Sequence, residues 1–195
     1  MLWRCLDTPG HEAARIIARD SCWILAGSAV FLYESAPCHL RYWIDCDLGW
    51  RTRKVRVDGW IGGKDIDALI AADAMGQWKI NGESCSAVSG CVDVDLNFSP
   101  STNLLPIRRL NLEVGQSATV HAAWLRFPSF QLEPLIQRYS RTGSSEYRYD
   151  SENGDFCANL LVNEDGFVRD YPPTWQASAA PNNAFNPDAG KPGAG

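Results

Sequence analysis

Alternation with a period of two residues runs through most of this chain. Its cleanest instance, CVDVDLNF at residues 91–98, suits only a β-strand. Val92, Val94, Leu96 and Phe98 share one face, and Asp93, Asp95 and Asn97 share the other. Two carboxylates one pleat repeat apart stand about 6.5–7 Å from each other and repel. A dozen residues later the chain supplies Arg108 and Arg109.

The same texture recurs on both sides of this stretch. CWILAGSAVFLY (22–33) reads as buried strands joined at Ala26-Gly27-Ser28, and it falls well short of the ~20 apolar residues that span a bilayer. LRYWIDCDLGWRTRKVRV (40–57) reads as two strands reversing at Asp47-Leu48-Gly49. IRRLNLEVG (107–115) predicts a strand in which Arg108, unlike Arg109, points with Leu110, Leu112 and Val114. TVHAAWLRFP (119–128) aligns Val120, Ala122, Trp124 and Arg126. EYRYDS, DFCANLLVNEDG and FVRDY are further strands, with a hairpin turn at Asn163-Glu164-Asp165-Gly166.

Two segments break the pattern. LEPLIQRYSR (132–141) places Leu132, Leu135, Ile136 and Tyr139 at helical spacing, with Pro134 suited to a first turn and Gly143 to a stop, and predicts a helix. DIDALIAADA carries Ile66, Leu69 and Ile70 at helical spacing too, although AMGQ would equally serve as a hairpin turn into QWKI. From Gln176 onward, QASAAPNNAFNPDAGKPGAG has no periodicity and almost nothing large to bury. The expectation is one mainly β domain over residues 1–175, with one or two short helices, and a disordered tail over 176–195.

Composition narrows the function classes. The 16 Gly, 11 Pro and 8 Trp suit many turns and aromatic-rich strands. A net charge of −5 argues against a nucleic-acid partner, and the basic run RTRKVR (51–56) reads as an exposed strand balanced by Asp45, Asp47 and Asp58. The N-terminus lacks a basic start followed by an apolar run, so a cytoplasmic protein without stable membrane insertion is expected. Seven cysteines without a C-x-x-C pair fit neither a disulfide framework nor a zinc site, and neither metal nor cofactor is expected.

No nucleophile elbow, phosphate-cradling glycine loop or H-E-x-x-H motif is present, and no catalytic residue is assigned. What repeats is D-x-D followed by arginines: Asp45 and Asp47 before Arg51 and Arg53, then Asp93 and Asp95 before Arg108 and Arg109. Carboxylates accept sugar hydroxyls, guanidinium forks grip anions, and rings such as Trp43 and Trp124 stack on apolar faces. The same residues could equally neutralise one another across strands, or form an acid/base carboxylate pair of the glycosidase kind.

WIDCDLGWRTRKVRV, GCVDVDLNFSPSTNLLPIRRLNLEVG, AAWLRFP and DGFVRDYPPTW together resemble the bacterial Putative glycolipid-binding family, over nearly all of residues 1–175. The resemblance implies one long antiparallel sheet rolled on itself, a spiral β-roll with a barrel-like cavity. Family motif positions fall here on Trp43, Arg53, Asp93, Asp95, Ser99, Asn103, Arg108, Trp124, Gln137, Tyr139, Tyr147, Tyr149 and Tyr171, among others. The leading expectation is a protein holding a small amphiphile, glycolipid-like, in that cavity. Arg108 and Arg53 would anchor its head, Asp93 and Asp95 would accept sugar hydroxyls or hold Arg108, and Asn103, Trp43, Trp124, Tyr139 and Tyr147 would complete the site. The alternatives are a sugar- or lipid-processing enzyme using Asp93 and Asp95, and an interaction scaffold without a small-molecule site.

Overall fold

The computed structural model describes residues 1–151 and 155–178. The strands are β1 (Leu2–Cys5), β2 (Gly10–Ala18), β3 (Trp23–Tyr33), β4 (Ala36–Cys46), β5 (Thr52–Ile61), β6 (Lys64–Ala72), β7 (Trp78–Ile80), β8 (Glu83–Ser84) and β9 (Asp93–Leu96). After one helix, α1 (Leu104–Leu110), come β10 (Ser117–Arg126), β11 (Gln131–Arg141), β12 (Glu146–Ser151), β13 (Phe156–Val162), β14 (Val168–Tyr171) and β15 (Trp175–Ala177). All belong to one sheet in the order β8-β7-β6-β5-β4-β3-β2-β1-β15-β14-β13-β12-β11-β10-β9. Neighbours are antiparallel except β9, which lies parallel to β10. The expected mainly β, rolled single sheet is what forms.

A sheet this long must curl to bury a face. The roll brings its end strand β9 against the start of β5, where Thr52 donates its N–H to Val92 O (3.2 Å). The Thr52 hydroxyl in turn accepts from Val94 N–H (3.0 Å). The strands from β5 round to β9 thus enclose the interior, and β6–β8 run on past the seam, which makes the roll a spiral. Ser99 to Ile107 pass through that interior, every one of them buried.

Several expectations change. Residues 22–33 do not form two strands, because β3 is continuous through Gly27. The reason for glycine there is space: a Cβ would collide with the Tyr42 hydroxyl. Residues 132–141 are strand β11, not a helix. Leu135, Gln137 and Tyr139 face inward while Ile136 is exposed, so one polar and one apolar residue exchange places and imitate a helical stripe. Among the described residues β12 pairs only with residues from Gln137 onward, so that no described partner there needs an N–H from Pro134.

Conversely, IRRLNLEVG is not a strand. Pro100–Asn103 form a 3-10 turn that continues into α1, which ends at Asn111 in the left-handed region with its N–H bonded to Ile107 O. The run Leu104-Leu105-Pro106-Ile107 is buried throughout, so no polar side marks it as helical. The ambiguous segment is strand β6, turning through Asp73–Gly76 into β7. Gln176 and Ala177 lie in β15, and of the tail expected over 176–195 the residues from 179 onward fall outside the described residues. No helix among the described residues is long and apolar enough to cross a membrane.

Gly27→Ala should lower unfolding stability by about 1–3 kcal/mol in urea, the cost of overpacking. A neutral Gly27→Ala would contradict the close approach of β3 to Tyr42.

Candidate functional site

β9 places Asp93 and Asp95 on one face, but their surroundings differ. The Asp93 carboxylate, 1% exposed, receives Arg109 Nε (3.0 Å) and a second guanidinium nitrogen (2.5 Å). Burial still holds its carboxyl above the usual range, with Arg109 pulling the other way. Asp95 accepts Gln137 Nε2 at 2.6 Å, and that amide also donates to the Tyr149 hydroxyl at 2.9 Å. Burial lifts the Asp95 carboxyl to about 6, opposed by the Gln137 bond and reinforced by the charge of Asp93.

Asp95 lines a cavity of about 360 Å³, towards the small end of the ~300–1,000 Å³ typical of ligand pockets. Its apolar walls come from two groups of rings. Phe127 packs edge-on to Phe31 (5.3 Å) and Tyr33 (4.9 Å). Tyr149, Phe156 and Tyr171 meet one another edge-on at 5.8–6.1 Å. Polar groups from Asn97, Ser99, Asn103 and Ser151 also reach the cavity. No Lys or Arg among the described residues lines it.

Behind Ser99 lies a wholly buried cluster. Glu12 Oε1 accepts from the Tyr42 hydroxyl and the Ser99 hydroxyl, both at 2.6 Å, and Ser101 Oγ lies 2.6 Å from the Tyr42 oxygen. Glu12 Oε2 is the one buried side-chain polar atom among the described residues without a hydrogen-bond partner. Burial raises the Glu12 carboxyl to about 7 against the hydroxyls that stabilise its charge. A carboxylic acid that stays protonated near neutrality leaves less charge stranded at Oε2.

The nine residues singled out in the sequence divide among several places. Asp95, Asn103 and Trp124 line the cavity. Tyr139 is fully buried beside it, its hydroxyl donating to Asn103 Oδ1 at 2.7 Å. Asp93 does not hold Arg108, because α1 turns Arg109 towards it instead. Arg108 lies over the Trp50 ring (5.2 Å) beside a separate open groove that also contains Tyr147. Arg53 is paired with Asp47 (2.6 Å) at another cleft. Trp43 stands on the outer surface with its Nε1 donating to Asp45 (2.9 Å).

The Arg109 grip also takes Asp93 away from any acid/base pairing across the cavity with Asp95. Glu12 and Phe127 escaped the sequence reading. Glu12 was legible in principle, because on β2 it shares strand parity with Ala14 and opposes Arg15. Nothing in the string marks Phe127, which reaches the cavity from the turn after β10.

The chain matches the model of a family described as "Putative glycolipid-binding" over residues 1–177. It is also similar to a crystal structure of a DUF1089 family protein from Pseudomonas aeruginosa, at 31% identity and a TM-score of 0.76. That likeness covers 86% of this chain and 92% of the other. No curated protein matches it.

Two outcomes check these assignments. Replacing Arg109 by Leu strands the buried Asp93 charge and should cost about 3–5 kcal/mol of unfolding free energy, whereas Arg108→Ala should cost no more than about 1. Because the folded pKa of Glu12 lies above its ordinary 4.5, its protonated form stabilises the fold fully below pH 4.5, and that contribution is lost as pH rises through 7. Unfolding free energy should therefore fall by about 3 kcal/mol from this group between pH 4.5 and 8, and urea titrations of Glu12→Gln should show that part of the slope gone.

Proposed function

The chain belongs to the Putative glycolipid-binding family, and on that premise we propose that it holds a single small amphiphile in the interior cavity. The observation that carries this reading is the lining: aromatic walls together with a few hydrogen-bonding groups gathered around Asp95. Rings of this kind pack against methylenes and the apolar faces of sugars, while Asp95, Asn103 and Ser99 can meet hydroxyl or other polar groups. Such a division of labour suits a molecule with one polar and one apolar part. A volume of about 360 Å³ matches a head group with a short apolar stretch, so a longer chain would extend beyond the cavity.

Binding without turnover is the favoured reading over catalysis. The acid/base pair read from the sequence, Asp93 with Asp95, would need both carboxyl groups free, and Asp93 is held by Arg109.

The test is extraction of the purified protein with organic solvent and mass spectrometry of what is released. A glycosylated amphiphile should be recovered chemically intact from the unaltered chain. It should be absent from Leu135→Trp, which fills the cavity from a lining position, provided that variant still melts cooperatively. Recovery of the same compound in equal amount from a folded Leu135→Trp would refute binding in this cavity.

A further inference from the structure

Asp93 and Asp95 leave β9 on the same face, yet the protein provides a counter-charge for only one of them. Arg109 grips Asp93 with two hydrogen bonds. Asp95 has the neutral amide of Gln137 on Oδ2, and its side chain faces the cavity. The other carboxylate of the lining, Asp7, accepts a thiol hydrogen bond from Cys5 (2.9 Å) and has no cationic partner among the described residues. With no Lys or Arg in the lining among the described residues, the electrostatic character of the cavity is negative.

Aromatic rings make up much of the rest of the lining. Tyr149, Phe156 and Tyr171 form a mutually edge-on set at the cavity, and ring faces carry partial negative charge that attracts cations. A carboxylate or phosphate head would meet the Asp95 acid with no cation to compensate, a desolvation cost without return.

We infer that the ligand of this cavity carries an ammonium group that pairs with Asp95, as in an amino sugar or another amine-bearing amphiphile, and that anionic heads are rejected. This rests on the amphiphile-binding reading above and specifies its chemistry. Asp95 is then a specificity-determining residue: the ligand supplies the charge that Arg109 supplies to Asp93.

The groups around Asp95 are Gln137 and Tyr139 of β11, Tyr149 of β12 with Tyr171 of β14 beyond it, and Asp93 on its own strand with Arg109 of α1 beyond that. None but Arg109 is cationic, and Arg109 is already engaged. Since burial raises the Asp95 carboxyl to about 6, a bound ammonium would also favour its ionised form, and amine affinity should grow as pH rises through that value.

The experiment is calorimetric titration with three probes of equal chain length: octylamine, octyl glucoside and octanoate. Octylamine should bind about 10-fold or more tightly than octyl glucoside, with octanoate undetectable. Octylamine affinity should rise about 10-fold between pH 5 and pH 7.5, where the amine itself stays charged. Asp95→Asn, checked by its melting curve, should lose about 10-fold in octylamine affinity and keep octyl glucoside within about 3-fold. Tighter binding of octyl glucoside than octylamine, a flat pH profile, or binding of octanoate would overturn the ammonium inference while leaving amphiphile binding intact. Failure of all three probes to bind would overturn both.

Discussion

The passage of residues Ser99 to Ile107 through the middle of the roll is the constraint on which the rest depends. A sheet that curls without closing its ladder has an interior to fill and a seam to hold. This segment does both. Its serines bond to Glu12 and Tyr42 on the β2–β4 side, and its Asn103 accepts from Tyr139 on β11. The Thr102 hydroxyl accepts from the Leu96 N–H of the end strand (3.3 Å). Two walls far apart in sequence are thereby fixed at one separation, and the cavity is the volume left between the segment and the aromatic walls.

Filling an interior with backbone and polar side chains is costly unless each group finds a partner. Here nearly all do, and the exceptions are informative. Glu12 keeps one oxygen without a partner, and Asp95 faces the cavity with a single neutral donor. Both are carboxyl groups that burial pushes towards the neutral form. One is sealed inside the structural cluster and the other opens onto the cavity, so the same physical effect acts on a closed site in one place and on an accessible one in the other.

Much of the sheet was legible because alternation with turn residues between runs leaves little choice for β4, β5, β9, β10 and β12–β14. The failures cluster at the interior segment and at the strand facing it. Leu104 to Ile107 are buried on every side, which erases the polar face that announces a helix. Gln137 is buried where it bonds Asp95 and Tyr149, and Ile136 is exposed, so β11 carries a misleading pattern. The roles of Arg108 and Arg109 were exchanged by the same error: parity on a strand separates neighbours by a half turn, whereas a helix separates them by about 100°. Asp95 and Asn103 could be picked out by type, but which arginine met which aspartate depended on a helix the string conceals.

The pairing of β1 with β15 brings the first and last of the described strands together in the interior of the sheet order rather than at its edges. A ribosome delivers β1 more than a hundred and fifty residues before its partner. Until then β1–β8 can assemble only as a meander whose β1 edge is open, and open edges are templates for pairing with other chains. The native roll is therefore completed only after synthesis has passed β15, and its long-range contacts place it among slowly folding topologies. For such a chain, the interval between making the first strand and the last is the period of greatest exposure to misassembly.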